Sequence, residues 1–482
     1  MYLGIDIGTS GVKSLLMDEH QQILASAHAS LQVSRPQAGW SEQNPADWIT
    51  ATEATLTGLK QQHPVALAAV RGIGLSGQMH GATVLDKTDQ VLRPCILWND
   101  TRSHAEAAEL DSNPVFRQVS GNIVFPGFTA PKLVWMRHHE PELFARAERV
   151  LLPKDYVRLW LTGEVVSECS DAAGTAWLDV AQRCWSDKLL EASGMHSGQM
   201  PRLVEGCEVS GQLRAELCQR WGMKHAPVVA GGGGDNAASA CGMGVIEEGQ
   251  AFVSLGTSGV LFAANQTYRP LPESAVHAFC HALPDTWHQM GVILSAASAL
   301  SWYAGICEKP VKALTTELGN VLHEPESATF LPYLSGERTP HNDAMVRGAF
   351  LGLDHRHNRQ AMTRAVLSGV TFALRDNLEA LNAAGSAPKR LTAIGGGANS
   401  DYWLRLMATV LGLPVDVPAA GDFGAAFGAA RLGLLAESGL EPTVICTPPE
   451  IETTFAPVTE LAAAYEEAYQ VYRHAYSAIR AC

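Results

Sequence analysis

The sequence predicts an α/β protein made of two domains with one topology. Three observations carry this. Apolar runs of strand length alternate with helical stretches along the chain. The pentapeptide Gly-Thr-Ser-Gly-Val occurs twice, starting at Gly8 and at Gly256, about half the chain apart. Each copy sits between two apolar runs, which is the setting of a β-hairpin turn. The 482 residues suffice for two large domains or three smaller ones; we expect two, 1–243 and 244–482, with the boundary near Gly242 to Gly249.

Taken in order, residues 2–8 and 12–17 read as strands around the first turn. Residues 46–60 read as a helix, with Pro45 in its first turn after Asn44. A strand is expected at 69–75, helices at 131–138 and 153–161, and a short strand at 228–230 running into Gly231 to Gly234. The second half opens with strands at 251–255 and 260–264 around the second turn. Helices at 294–305, 358–384, 402–411 and 423–435 then alternate with strands at 390–394 and 415–417. Met290 to Cys307 carries no charge, but its glycines and serines make a buried helix a better reading than a membrane span.

Composition narrows the function. Asp and Glu number 49 against 35 Lys and Arg, a net charge of −14, which argues against nucleic acid and against a polybasic membrane clamp. The ten cysteines include no C-x-x-C and no zinc-ligand spacing, as expected of reduced thiols in a cytoplasmic protein. The opening residues carry Asp6 and no basic stretch, unlike a secretory signal.

Several motifs point to phosphate and hydroxyl chemistry. Gly72-Ile73-Gly74-Leu75-Ser76-Gly77 matches a dinucleotide-binding pattern, but no helix is expected after it, so that reading is rejected. The turns Gly8-Thr9-Ser10 and Gly256-Thr257-Ser258 can instead hold phosphate on consecutive backbone N–H groups and hydroxyls. Asp6 would set a carboxylate beside those phosphates, where Mg²⁺ takes oxygen ligands, and Lys13 would add a point charge. The four glycines from Gly231 suggest backbone pressed against a ligand. Asp235, opening a helix of small residues, can accept a proton from a hydroxyl that attacks phosphorus. Gly395-Gly396-Gly397-Ala398-Asn399 follows a strand and could lie flat on a nucleotide. Gln78, Met79 and His80, with Trp98, Asn99 and Asp100, follow apolar runs and offer the polar and thioether surface a polyol needs. Leu334 to His341 is a polar loop without an obvious role, in which Glu337 and Arg338 could pair.

Taken together, Gly4 to Gly11, Trp40 to Pro45, Gly77 to Gly81, Leu97 to Asp100, Phe128 to Lys132, Leu152 to Asp155, Ser170 to Thr175, Gly231 to Asn236, Ser254 to Gly259, Leu334 to Pro340 and Gly395 to Ala398 resemble the FGGY carbohydrate kinases over nearly the whole chain. The resemblance implies two actin-like (ribonuclease H-like) domains closing on a cleft, with sugar on the first and nucleotide on the second. It implies ATP with Mg²⁺ and conversion of D-xylulose to D-xylulose 5-phosphate. Met79, His80 and Asn236 would touch the sugar, Asp235 would be the general base, and Asp6 and Asp235 would face the metal. Gly396, Gly397, Ala398 and Asn399 would lie on the nucleotide side. Ser368 stands where the family usually has an acid. Other acceptors (ribulose, gluconate, glycerol) and an actin- or chaperone-like ATPase remain alternatives, and monomer and homodimer are both open.

Overall fold

The computed structural model describes residues 1–419 and 424–480. In the first half, β1 (Tyr2–Ile7), β2 (Gly11–Met17) and β3 (Ile23–Ser30) run antiparallel in succession. β4 (Gly72–Gly77) lies parallel to β1 on its other side. Beyond it, β5 (Val209–Gln212) and β6 (Val228–Ala230) complete the order β5-β6-β4-β1-β2-β3. In the second half, β7 (Ala251–Leu255), β8 (Gly259–Asn265), β9 (His277–Cys280), β10 (Trp287–Ile293), β11 (Leu391–Ile394), β12 (Val415–Pro418) and β13 (Ile451–Phe455) form the order β13-β12-β11-β7-β8-β10-β9.

Six strands of one sheet match six of the other in order, and β9, antiparallel to β10, is an added strand at the edge of the second. From one edge, both run antiparallel, parallel, parallel, antiparallel, antiparallel. The repeated pentapeptides start from the β1–β2 and β7–β8 turns, so the duplication expected from them is present. Every residue of β1 except Asp6 is buried, as a central strand covered on both faces requires.

Helices cover these faces. α1 (Pro45–Gln62) starts where Asn44 accepts from the Ala46 N–H, and it buries Trp48, Leu56 and Leu59 in the first core. α2 (Thr129–His139), α3 (Pro153–Thr162) and α4 (Asp235–Met243) follow. α5 (Ala297–Ile306), α6 (Arg359–Ala383, capped by Asn358) and α7 (Asp401–Leu411, capped by Ser400) pack around the second core.

α8 (Ala425–Ser438) comes from the second half of the sequence but lies on the first sheet. A Cβ at Gly4 or Gly74 would come within 1.8 or 1.7 Å of the Ala426 or Ala429 carbonyl oxygen. Gly72 and Gly74 of the rejected dinucleotide pattern are therefore where a helix meets β4 at backbone distance. The expected helix start at Phe423, with Gly421 and Asp422, lies outside the described residues.

Other boundaries moved for local reasons. The strand expected at 69–75 is β4, at 72–77, because Ser76 and Gly77 go on pairing with Asp6 and Ile7. The uncharged run from Met290 is two elements, the end of β10 and then α5, and Trp302 and Ile306 of that helix are exposed. β3 was not expected: it is a sheet edge rich in Ala and Ser, residues with weak strand preference. The tail forms α9 (Ala462–Ile479), whose Tyr465, Tyr469 and Tyr472 are buried in the second core. Ser368 on α6 borders a small void with Phe330, Phe372 and Ala468, a packing position. Among the described residues no helix is long and apolar enough to cross a membrane.

Candidate active site

Two carboxylates mark the centre. Asp6 in β1 accepts from the Ser76 hydroxyl at 3.0 Å. Asp235, the first residue of α4, accepts at Oδ1 from the Asn236 N–H (2.7 Å) and side-chain amide (2.9 Å). Burial first, and then the negative charge of Asp6, push the Asp235 carboxyl up to about 7. Its backbone is held from behind, where the Gly234 N–H donates to Ser170 Oγ at 3.1 Å. Ser170 itself lies over a fully buried ionic cluster. There Lys154 Nζ is 2.9 Å from both Asp155 and Asp171 and 3.3 Å from Glu168.

The four glycines before Asp235 press on protein, not on open space. A Cβ at Gly231 or Gly232 would meet the carbonyl oxygen of Glu205 or Leu75 at 2.2 or 2.1 Å, and one at Gly234 would meet the Met79 side chain at 2.9 Å. Small residues were needed for close approach, as expected, but what approaches is the fold itself.

Asp235 faces a cavity of about 150 Å³ between the two halves of the chain. Met79, His80, Trp98 and Asn236 line it from the first half, and Ser258 and Arg338 from the second, over an apolar wall of Val260, Met290 and Val292. His80 has a left-handed backbone (φ 69°), held because the buried Lys132 ammonium donates to its carbonyl at 2.7 Å. Its Nδ1 lies 2.6 Å from the Gly174 carbonyl, so the proton sits on Nδ1, and Phe128 stacks on the ring. Burial, with Lys132 nearby, pushes this histidine down to about 3, which keeps it neutral.

Three residues expected at the sugar are placed elsewhere. Gln78 is 2% exposed and bridges Thr9 and Gln43. Asp100 is 1% exposed and binds Arg102 and the Ser41 N–H. Asn99 does not line the cavity. Gln78 instead belongs to a relay: Trp98 Nε1 donates to the Thr9 hydroxyl at 3.0 Å, and that hydroxyl donates to Gln78 at 2.9 Å. This ties the first turn to the cavity wall and commits the Thr9 side chain to protein. In the same turn the Gly8 N–H donates to Gly11 O, and Lys13 stands opposite Asp6 in the register of β1 and β2.

The second turn stands between two spaces. Ser258 borders the small cavity, while the Gly256 and Thr257 carbonyls accept from the Ala297 and Ala296 N–H groups. Ala297 in turn lines a cleft of about 610 Å³ on the second domain, with Ser301, Lys312, Thr315 and Trp403. Gly396, Gly397 and Asn399 also line it, and a Cβ on Gly396 would meet nothing within 4 Å. Ala398 packs against the second core instead.

Sequence reasoning missed Arg338 and Lys132 as well as the α5 side of the large cleft. Glu337 and Arg338 do not pair side chain to side chain. Glu337 accepts from the Leu294 and Arg338 N–H groups at 3.0 and 2.8 Å, while Arg338 turns into the cavity. Burial pushes Glu337 up to about 8 and Arg338 down to about 10. Among the described residues no cluster of three or more His, Cys, Asp or Glu side chains could cage a metal.

Residues 1–242 match the N-terminal domain, and residues 251–437 the C-terminal domain, of the FGGY family of carbohydrate kinases. The chain is 48% identical over 481 residues to the xylulose kinase of Escherichia coli (strain K12), covering 99% of this chain and 98% of that one. It is 50% identical over 440 residues to the xylulose kinase of Klebsiella pneumoniae, covering 90% of each. A crystal structure of a xyloylose kinase from Brucella ovis superposes with a TM-score of 0.98 at 62% identity, covering 100% of this chain and 99% of the other. The duplicated sheets are thus the two halves of an actin-like (ribonuclease H-like) fold, and the chain belongs to the FGGY family of carbohydrate kinases.

Proposed function

We propose that this kinase transfers the γ-phosphoryl group of ATP to the terminal hydroxyl of D-xylulose, giving D-xylulose 5-phosphate in the cytoplasm. The observation that carries the reading is the pair of adjoining spaces. Ser258 of the second Gly-Thr-Ser-Gly turn borders a sugar-sized cavity holding Asp235, and Gly256 of the same turn is hydrogen-bonded to Ala297, which lines a nucleotide-sized cleft. The similar kinases named for xylulose support the choice of acceptor.

The residues divide the work. Asn236 holds Asp235 in place, and Asp235 takes the proton from the attacking hydroxyl. Met79, His80, Trp98 and Ser258 orient the sugar. Gly396, Gly397 and Asn399 seat the nucleotide, and the turn at Gly256 to Ser258 lies where the phosphates would cross between the two spaces. Asp6 and Asp235 fit Mg²⁺, being hard oxygen ligands whose mutual repulsion already raises Asp235, and Mg²⁺ bound there would neutralise phosphate charge. The sugar then sits against residues 1–243, with Ser258 and the apolar wall reaching over from 244–482, the half that carries the nucleotide.

A coupled assay of ADP release over a panel of ketoses and polyols tests the reading. D-Xylulose is expected to give the highest kcat/KM, by about tenfold or more over ribulose, gluconate and glycerol. An ATPase rate indifferent to every pentulose would replace the kinase reading with that of an actin-like ATPase. The nucleotide seat is tested by Gly396→Val. Its side chain enters open space, so the melting temperature should stay at the wild-type value while KM for ATP rises about tenfold or more. An unchanged KM would move the nucleotide elsewhere.

A further inference from the structure

Arg338 is the cationic residue that borders the small cavity. Among the described residues its guanidinium has one hydrogen-bond partner, His277 Nε2 at 3.5 Å, and it stacks 4.9 Å from the centre of the Phe125 ring. Glu337, next in sequence, points its carboxylate at backbone N–H groups instead. The segment carrying Arg338 is sewn to β10. The Thr339 N–H donates to Val292 O and the Val292 N–H donates to the Thr339 hydroxyl, both at 3.1 Å. Farther along, His341 stacks on Tyr476 of α9 with ring centres 3.7 Å apart. The tail helix thus helps to hold a loop that ends in the cavity.

A guanidinium offers donors and no acceptor. A rigidly mounted side chain of this kind, without an acidic partner, suits a group that only accepts. The hydroxyls of a pentulose both donate and accept, whereas its carbonyl oxygen only accepts.

We propose that Arg338 is a specificity-determining residue that donates to the carbonyl oxygen of the open-chain ketose, and so favours the ketose over the polyol of the same length. A polyol hydroxyl at that position could also accept from Arg338, but its own hydrogen would then face the apolar wall of Val260, Met290 and Val292, a buried polar hydrogen left unpaired. The inference rests on the reading of the site as that of a xylulose kinase.

The test compares kcat/KM for D-xylulose and for xylitol in the wild type, Arg338→Met and Arg338→Lys, with ATP affinity measured on each protein. In Arg338→Met, kcat/KM for xylulose is expected to fall on the order of a hundredfold, with xylitol changed far less, so that the ketose-to-polyol ratio drops about tenfold or more. Arg338→Lys keeps the charge without the fork and should give an intermediate ratio. ATP affinity at the wild-type value shows that the fold is kept, and if Arg338→Met loses it, the Arg338→Lys ratio decides. A ratio at the wild-type value in a variant that binds ATP normally would overturn the assignment of Arg338 alone. A wild-type protein that phosphorylates no ketose would overturn the reading of the site, and the inference with it.

Discussion

Asp235→Asn is expected to lower kcat for sugar phosphorylation about a thousandfold or more while leaving ATP affinity within a factor of about two. Asparagine has the same shape and still offers an oxygen to the Asn236 N–H, so the start of α4 keeps its hydrogen bond. The change removes the one property the proposed chemistry needs, a carboxylate able to hold the proton of the attacking hydroxyl. It also removes a negative charge that burial and Asp6 both oppose. The melting temperature should therefore be no lower than that of the wild type, the pattern of a residue retained for function against stability. ADP release, isothermal titration with ATP and a thermal melt read the three consequences separately. Turnover within tenfold of the wild type would take Asp235 out of proton transfer, and a lower melting temperature would make it a structural cap first.

The duplication was legible because its signal is local. A turn that needs glycine between two apolar runs looks the same wherever it recurs, and β1–β2 and β7–β8 are such turns. The place of Asp235 at the start of a helix and beside a cavity was legible for the same reason, since a strand-derived glycine run there gives way to a helix of small residues. What those glycines approach was not legible. Absence of a side chain reports that something comes near, but Gly231 and Gly74 meet backbone from distant segments while Gly396 meets open space. Gln78 and Asp100 were misplaced by the same ambiguity. A polar residue after a strand reads alike whether it faces a ligand or caps a buried network such as that of Thr9 and Gln43. Arg338 depends on a loop pairing with β10, a contact between segments that no local pattern announces.

Gly428→Ala, the addition of one methyl group in α8, is expected to destabilise the fold by about 3 kcal/mol or more. The new Cβ would stand 1.7 Å from the Ala238 carbonyl oxygen in α4, with Gly242 N at 2.9 Å. Neither is the movable end of a side chain. α8 cannot retreat either, because Gly4, Gly72 and Gly74 already hold it at backbone distance from β1 and β4. The strain must therefore fall on α4, where Ala238 lies one turn after Asp235. Loss of activity beyond the loss of folded protein is expected to accompany the loss of stability. Gly305→Ala in α5 serves as control, since nothing lies within 4 Å of its Cβ, and it should be neutral or stabilising by up to about 1 kcal/mol. Urea midpoints of both variants read the difference. If Gly428→Ala unfolded at the wild-type midpoint, the seam between α8 and α4 would have room to spare, and Asp235 would owe its position to Ser170 and Asn236 alone.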